Sequence, residues 1–154
     1  MGAYVAITSS SDEKLEKAKA LGADFIVNYK AEPEWGSAVN AWSGEKGVDH
    51  VVEVGGPATL AQSINACRVN GNIVLIGVLT GVKGDVPTAA LMAKQINLKG
   101  IIVGSREHQN DFVNALEASG IKPVIDTSFS LDELAKAFEY EVNGKHFGKI
   151  CIDI

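Results

Sequence analysis

The sequence predicts an α/β fold built on a parallel, doubly wound sheet. Three observations carry that expectation. Short β-branched runs alternate with amphipathic stretches along most of the chain. The runs are nearly all apolar rather than alternating, the pattern of strands covered on both faces. Each run is separated from the next by enough chain for a helical crossover, which parallel pairing requires.

The elements follow in order. Tyr4–Thr8 (YVAIT) reads as a buried strand. Ser10 with Glu13 three residues on forms a capping box, and the helix it starts ends at Gly22, a C′ glycine. Phe25–Val27 is a second strand. Pro33 suits the first turn of a helix whose Trp35, Val39 and Trp42 make one apolar stripe, stopped by Gly44. Val51–Val54 is a third strand, ending at Gly55-Gly56-Pro57. Pro57 opens a helix that buries Leu60, Ile64 and Cys67. Asn72–Ile76 is the fourth strand, stopped by Gly77. A loop with Gly81, Gly84 and Pro87 leads to a short apolar helix around Ala89–Ala93. Asn97–Val103 is the fifth strand, and Phe112, Val113 and Leu116 mark a helix ended by Gly120. The pattern then changes. Pro123–Phe129 is extended, Ser130 and Glu133 form a second capping box, and Leu134 and Phe138 face inward on the helix behind it. Lys149–Ile154 alternates like a half-exposed strand. The expected division is an α/β unit over 2–104 and an appended piece over 105–154.

Composition narrows the function. The chain has 154 residues, enough for one ordinary domain, with 46% hydrophobic and 21% charged residues, a globular profile. Its net charge of −5 argues against a protein that reads a nucleic-acid backbone. No apolar run approaches the roughly 20 residues that span a bilayer, and no basic stretch followed by an apolar core opens the chain. Two cysteines, Cys67 and Cys151, do not make a disulfide scaffold, so a cytoplasmic location is expected.

A doubly wound sheet binds ligands beyond the carboxyl ends of its strands. Those ends are Thr8-Ser9-Ser10, Val54-Gly55-Gly56, Gly77-Val78-Leu79 and Val103-Gly104-Ser105. The glycines there either end strands tightly or let a flat ligand approach the backbone. The phosphate-binding pattern Gly-x-Gly-x-x-Gly is absent: Gly77, Gly81 and Gly84 have the wrong spacing, and Gly55-Gly56 is too short. His50, His108 and His146 are scattered and have no metal-ligand spacing with the cysteines. Cys67 falls on a helix's apolar face and Cys151 in a strand, both packing positions. Glu53 stands in a buried run. Left unpaired there it would cost on the order of several kcal/mol, so it must find a partner or point to the sheet edge, and structural hydrogen bonding is favoured over acid/base work. Lys99 and Arg106 flank the end of the fifth strand and could face phosphate, but plain solvated charge is favoured for both. No catalytic set emerges.

Four stretches carry a wider resemblance: ITSSSDEKLEKAKALGADFIVNYK, GVDHVVEVGGPATLAQSINACRVNGNIVLIGVLTG, INLKGIIVGS and HFGKICI. Together they span nearly the whole chain. In order and spacing they resemble the medium-chain dehydrogenase/reductase superfamily, the zinc-type alcohol dehydrogenases and quinone oxidoreductases. The resemblance implies an incomplete Rossmann-type doubly wound sheet with a C-terminal α+β extension on the side of the family's catalytic domain. The first strand, its glycine-rich loop and the catalytic domain would precede Met1. The chain would then be the cofactor-binding part of an NAD(P)-dependent oxidoreductase, inactive alone. Zinc belongs to the parent family, and no ligand for it is recognised in this stretch. A non-catalytic nucleotide-binding or dimerisation module is the alternative.

The resemblance also assigns residues. Ser9, followed by Ser10, stands where NAD-using relatives put an acid against the ribose 2′-OH, and a hydroxyl can donate to a 2′-phosphate. Lys14 and Tyr29 match positions of NADP-using relatives, so NADP is favoured over NAD. The plainer alternatives are an exposed helix lysine paired with an acid, and an aromatic covering a strand end. Val54, Gly55 and Gly56 would line the adenine side. Gly77, Val78 and Leu79 would lie under the nicotinamide and its ribose, and Ile102 and Val103 would offer backbone groups to the carboxamide. The edge segment 97–103 would pair with its mate in a homodimer. With the central strand absent, the strand at Tyr4–Thr8 is expected to pair directly with that at Val51–Val54, unless another segment fills the gap.

Overall fold

The computed structural model of the protein describes residues 2–154. One unit ends at Ile102, and a second runs Val103–Ile154. The first βαβ unit starts at Ala6–Ser9 (β1), crosses through Asp12–Ala20 (α1) and returns as Phe25–Asn28 (β2). The strands are parallel, with Ala6 opposite Phe25 and Ser9 opposite Asn28. The predicted capping box does not form. Ser9 Oγ accepts from the Ser11 amide at 3.2 Å, which makes Ser11 the extended residue that caps the helix. Its hydroxyl accepts from the Lys14 amide at 3.3 Å. Glu13 is thereby one residue too early to close a box, and pairs instead with Lys17 at 2.7 Å. The Lys17 hydrogen bond and charge hold the Glu13 carboxyl below the usual range.

Trp35–Trp42 (α2) follows, starting two residues after Pro33. Its apolar stripe faces inward: Val39 is buried, and Trp42 stacks on Phe25 with ring centroids 5.4 Å apart. Gly36 is the contact with Pro57–Ala66 (α3). Its amide donates to Gln62 Oε1 at 2.9 Å, and a Cβ there would stand 2.3 Å from the Gln62 carbonyl oxygen.

Val48–Glu53 (β3), Cys67–Leu75 (β4) and Asn97–Gly100 (β5) form a second parallel sheet in the order β3-β4-β5. Thr88–Ala93 (α4) makes the last crossover. Two corrections follow. Cys67 is the joint between α3 and β4 rather than a helix-face residue, although it is fully buried with Leu60, Ile64 and Ile73. The fifth strand stops at Gly100 instead of Val103, because its partner β4 ends opposite it at Leu75. The Ile101 amide still reaches the Leu75 carbonyl at 3.0 Å, and residues 102–103 have no strand left to follow.

The expected pairing of the first and third strands does not occur. β1 bonds only to β2 and β3 only to β4, and among the described residues no other strand lies between them. The two sheets share a core instead, in which Val27, Val39 and Ala66 are buried under Ala6, Phe25, Trp35 and Val48. α2 packs on β2, α3 packs on β3, and α2 and α3 meet closely at Gly36. The sheets are therefore joined through helix packing and not through a strand-to-strand ladder. The strands are therefore not covered on both faces: Val52 is 67% exposed and all of β5 is exposed.

Lys94 closes the other end of α3. Its Nζ donates to the carbonyls of Ile64, Asn65 and Cys67 at 3.0, 2.7 and 2.9 Å, satisfying acceptors the helix leaves open. Burial pushes its ammonium below the usual lysine range.

In the second unit, Arg106–Ser119 (α5) is capped by a box absent from the sequence reading. Ser105 Oγ accepts from the His108 amide at 3.2 Å, and His108 Nδ1 accepts from the Ser105 amide at 3.3 Å. Histidine here takes the place of the usual Glu or Gln. Ile125–Ser130 (β6) and Lys149–Asp153 (β7) are parallel, connected through a single 3-10 turn at Leu131–Glu133 and Leu134–Val142 (α6). That turn keeps the expected Ser130–Glu133 box from capping α6. Ser130 Oγ meets the Glu133 carboxylate at 3.4 Å, and Glu133 pairs with Lys136 at 2.9 Å. Asp126 ties the unit together, accepting from Tyr140 Oη at 2.7 Å and from the Phe147 amide at 3.0 Å.

Candidate functional site

β3 ends on Glu53, which is 3% exposed. Its Oε1 accepts from the amides of Gly55 and Gly56 at 2.7 and 2.9 Å and from Thr59 Oγ1 at 2.6 Å. Its Oε2 accepts from Ser63 Oγ. The acid is thus fully engaged in hydrogen bonds, the structural role expected for it. The turn it holds has Gly56 at φ +90° and ψ −136°, a conformation open only to glycine.

The loop after β4 lies against this turn. The Ile76 amide donates to the Glu53 carbonyl at 2.9 Å, Leu79 to Val54 at 3.4 Å and Thr80 to Gly55 at 2.8 Å. Thr80 Oγ1 donates to the Gly55 carbonyl at 2.8 Å and accepts from the Ala58 amide at 3.1 Å. The glycines are needed for this contact. A Cβ on Gly77 would stand 2.5 Å from the Val54 carbonyl oxygen, and one on Gly56 would stand 3.0 Å from Val78 Cα. Six of the residues singled out from the sequence, Val54, Gly55, Gly56, Gly77, Val78 and Leu79, are therefore joined in one cradle. Its open surface is apolar, with Val54 and Val78 each 47% exposed and Leu79 84% exposed.

A second group gathers at the end of the β1–β2 sheet. The Tyr29 amide donates to the Ser9 carbonyl at 3.1 Å, and Tyr29 is 41% exposed. Ser9 and Ser10 lead into α1, whose third residue is Lys14. Sequence reasoning missed Asp12, which accepts from Asn28 Nδ2 at 2.7 Å and brings a carboxylate to this end. It also missed Thr59, Ser63 and Thr80. Their positions relative to Glu53 and Gly55 carry no recognisable motif, so only the folded contacts reveal them. Ile102 and Val103 lie past β5, 86% and 94% exposed, and Val103 belongs to the second unit.

Burial pushes the Cys67 thiol up, the opposite of what a nucleophile needs. Among the described residues no three His, Cys, Asp or Glu side chains converge into a set that could hold a metal. Zinc ligation therefore finds no fit in the described residues. None of the described helices is long and apolar enough to cross a membrane.

Comparison with known proteins places this architecture. Residues 1–120 match the family model described as zinc-binding dehydrogenase. A zinc-type alcohol dehydrogenase-like protein of Schizosaccharomyces pombe is 42% identical over 158 aligned residues, which cover 99% of this chain and 45% of the relative. A solved structure from Sinorhizobium meliloti, classed with the alcohol dehydrogenases, aligns at a TM-score of 0.90 and 40% identity over 99% of this chain and 44% of its own. A solved NAD-dependent alcohol dehydrogenase aligns at a TM-score of 0.88 and 31% identity, again over 99% of this chain and 44% of its own. The chain thus spans somewhat under half the length of the relatives it matches. With its repeated parallel βα units and a family match over most of its length, the chain belongs to the zinc-binding dehydrogenases of the medium-chain dehydrogenase/reductase superfamily.

Proposed function

We propose that the chain is the dinucleotide-binding portion of an NAD(P)-dependent oxidoreductase of the alcohol dehydrogenase or quinone reductase type. The observation that carries this is the cradle at the carboxyl ends of β3 and β4. It presents exposed Val54, Val78 and Leu79 where such folds take their ligands. Hydride transfer needs a substrate pocket and acid/base groups as well. In this reading they come from a catalytic half outside this chain, with residues 105–154 packing on that side, and the isolated chain does not turn over substrate. A cytoplasmic location goes with the reading, supported by the free thiols of Cys67 and Cys151.

NADP is proposed over NAD. Ser9 Oγ keeps a proton to donate to a 2′-phosphate, Lys14 stands on α1, and Tyr29, just past β2, bonds the Ser9 carbonyl through its amide. Titrating NADPH and NADH while following thermal unfolding tests both steps. NADPH at 100 times its Kd should add about 2.7 kcal/mol of stability. Absence of any shift with either nucleotide at millimolar concentration would remove the dinucleotide reading and favour a purely structural module. Ser9→Asp places a carboxylate against the 2′-phosphate and should weaken NADPH relative to NADH by about tenfold or more. An unchanged ratio would discredit the ribose assignment.

Homodimerisation through the edge segment 97–103 is proposed as well. All four residues of β5 are exposed and Ile101 is 49% exposed, an apolar edge that invites pairing. The expected result is a dimer by sedimentation velocity that Ile101→Glu converts to monomer. A monomer at high concentration before substitution would contradict it.

A further inference from the structure

A glycine pair at the end of a parallel strand, followed by a helix, is ordinarily a ready-made anion site, because the first-turn amides point outward unsatisfied. At α3 every one of those donors is already used. The Gly55 and Gly56 amides go to Glu53 Oε1 at 2.7 and 2.9 Å. Pro57 has no N–H. The Ala58 amide goes to Thr80 Oγ1 at 3.1 Å, and the amides of Thr59 and Leu60 go to the Gly56 carbonyl at 3.1 and 2.9 Å. The carboxylate is itself clamped from the helix. Thr59 and Ser63 lie one turn apart on one face of α3, and each brings its hydroxyl to Glu53. With Glu53 only 3% exposed and without an ion pair among the described residues, the carboxylate occupies the place an incoming phosphate would take.

We propose that Glu53 is a built-in anion that closes the N-terminus of α3 to phosphate and positions the Gly55–Gly56 turn of the cradle. It is a positioning residue, acting on a ligand through the backbone it holds. For the ligand alone the inference rests on the dinucleotide reading: the cradle then receives an uncharged part of the dinucleotide, and the phosphates are held elsewhere. The closure of the helix end stands on the contacts themselves.

Amide NMR of the full chain, read at Gly55 and Gly56, separates the two. Without substitution, neither inorganic phosphate nor formate should shift these amides saturably; a saturable phosphate response there overturns the proposal. In Glu53→Ala the freed amides should shift, and formate, the same carboxylate without its tether, should move them back saturably. A folded Glu53→Ala chain whose Gly55 and Gly56 amides ignore both the substitution and formate also overturns it. Should that variant fail to fold, Glu53→Gln decides: hydrogen exchange at these two amides should rise about tenfold relative to the core Ile73 amide, and an unchanged ratio refutes the role. Absence of NADPH binding by the unsubstituted chain would remove the dinucleotide reading and leave these readouts to decide Glu53.

Discussion

Replacing Glu53 with alanine is expected to lower folding stability by about 3–5 kcal/mol. The substitution takes away one acceptor group and strands three donors, the amides of Gly55 and Gly56 and the hydroxyl of Ser63, while Thr59 Oγ1 keeps the Gly56 carbonyl at 3.2 Å. Each buried donor left without a partner costs roughly 1–3 kcal/mol, and water entering the vacated space recovers part of the sum. Gly56, held at φ +90°, also loses the bond that keeps the turn in place. Urea unfolding should show a lower midpoint with an unchanged m-value. A loss under about 1 kcal/mol would show that the turn is held by the Thr80 contacts instead. Typical domains have only about 5–15 kcal/mol to lose, so the effect is large.

Ile73→Ala should cost about 3–4 kcal/mol. Ile73 is fully buried on the middle strand β4, opposite Val51 of β3 and Leu98 of β5. It packs in the cluster of Leu60, Ile64 and Cys67. Truncation removes buried methyl groups and leaves a cavity with strands on both sides that cannot collapse freely. It also replaces a β-branched residue in a central strand with a weaker strand former. Ile76→Ala is the control: Ile76 is 46% exposed just past the same strand, and its loss should stay within about 1 kcal/mol. Equal losses at the two positions would mean that β4 is not the core strand of its sheet.

Particular residues show how much of this was legible before folding. Gly22, Gly44 and Gly120 end helices with positive φ, as their positions after apolar stripes predict. Pro57 opens α3, and Leu60 and Ile64 are buried on it. The stripe Trp35, Val39 and Trp42 faces the β1–β2 sheet. The misses lie where two patterns competed. Three consecutive serines, Ser9 to Ser11, all could cap α1, and the hydrogen bond from the Ser11 amide to Ser9 Oγ chose the last. The apolar run after Asn97 reads as one strand to Val103, yet strand length depends on the partner, and β4 stops at Leu75.

The candidate site divides in the same way. The glycines at the ends of β3 and β4 marked the right loops, but two explanations stood open for them. The contacts of Gly55, Gly56 and Gly77 show that the chain's own neighbouring loop and helix demand the missing side chains. Glu53 was recognisable as an acid in an apolar run, and its need for partners followed from burial cost. Its partners did not, because Thr59, Ser63 and the two glycine amides meet it only after the strand turns into the helix.

The order of strands and helices, the parallel crossovers and the family were determined by the sequence alone. Apolar periodicity, glycine and proline act over a few residues, and so they can be read before any long-range contact exists. Tertiary structure alone decided that β1–β2 and β3–β4–β5 remain separate sheets joined by a shared core. It also decided that the N-terminus of α3 is filled by Glu53. Both outcomes depend on which distant segments meet: α2 with α3 at Gly36, and the Gly55 turn with Thr80. Contacts of this kind are properties of packing and have no local signature.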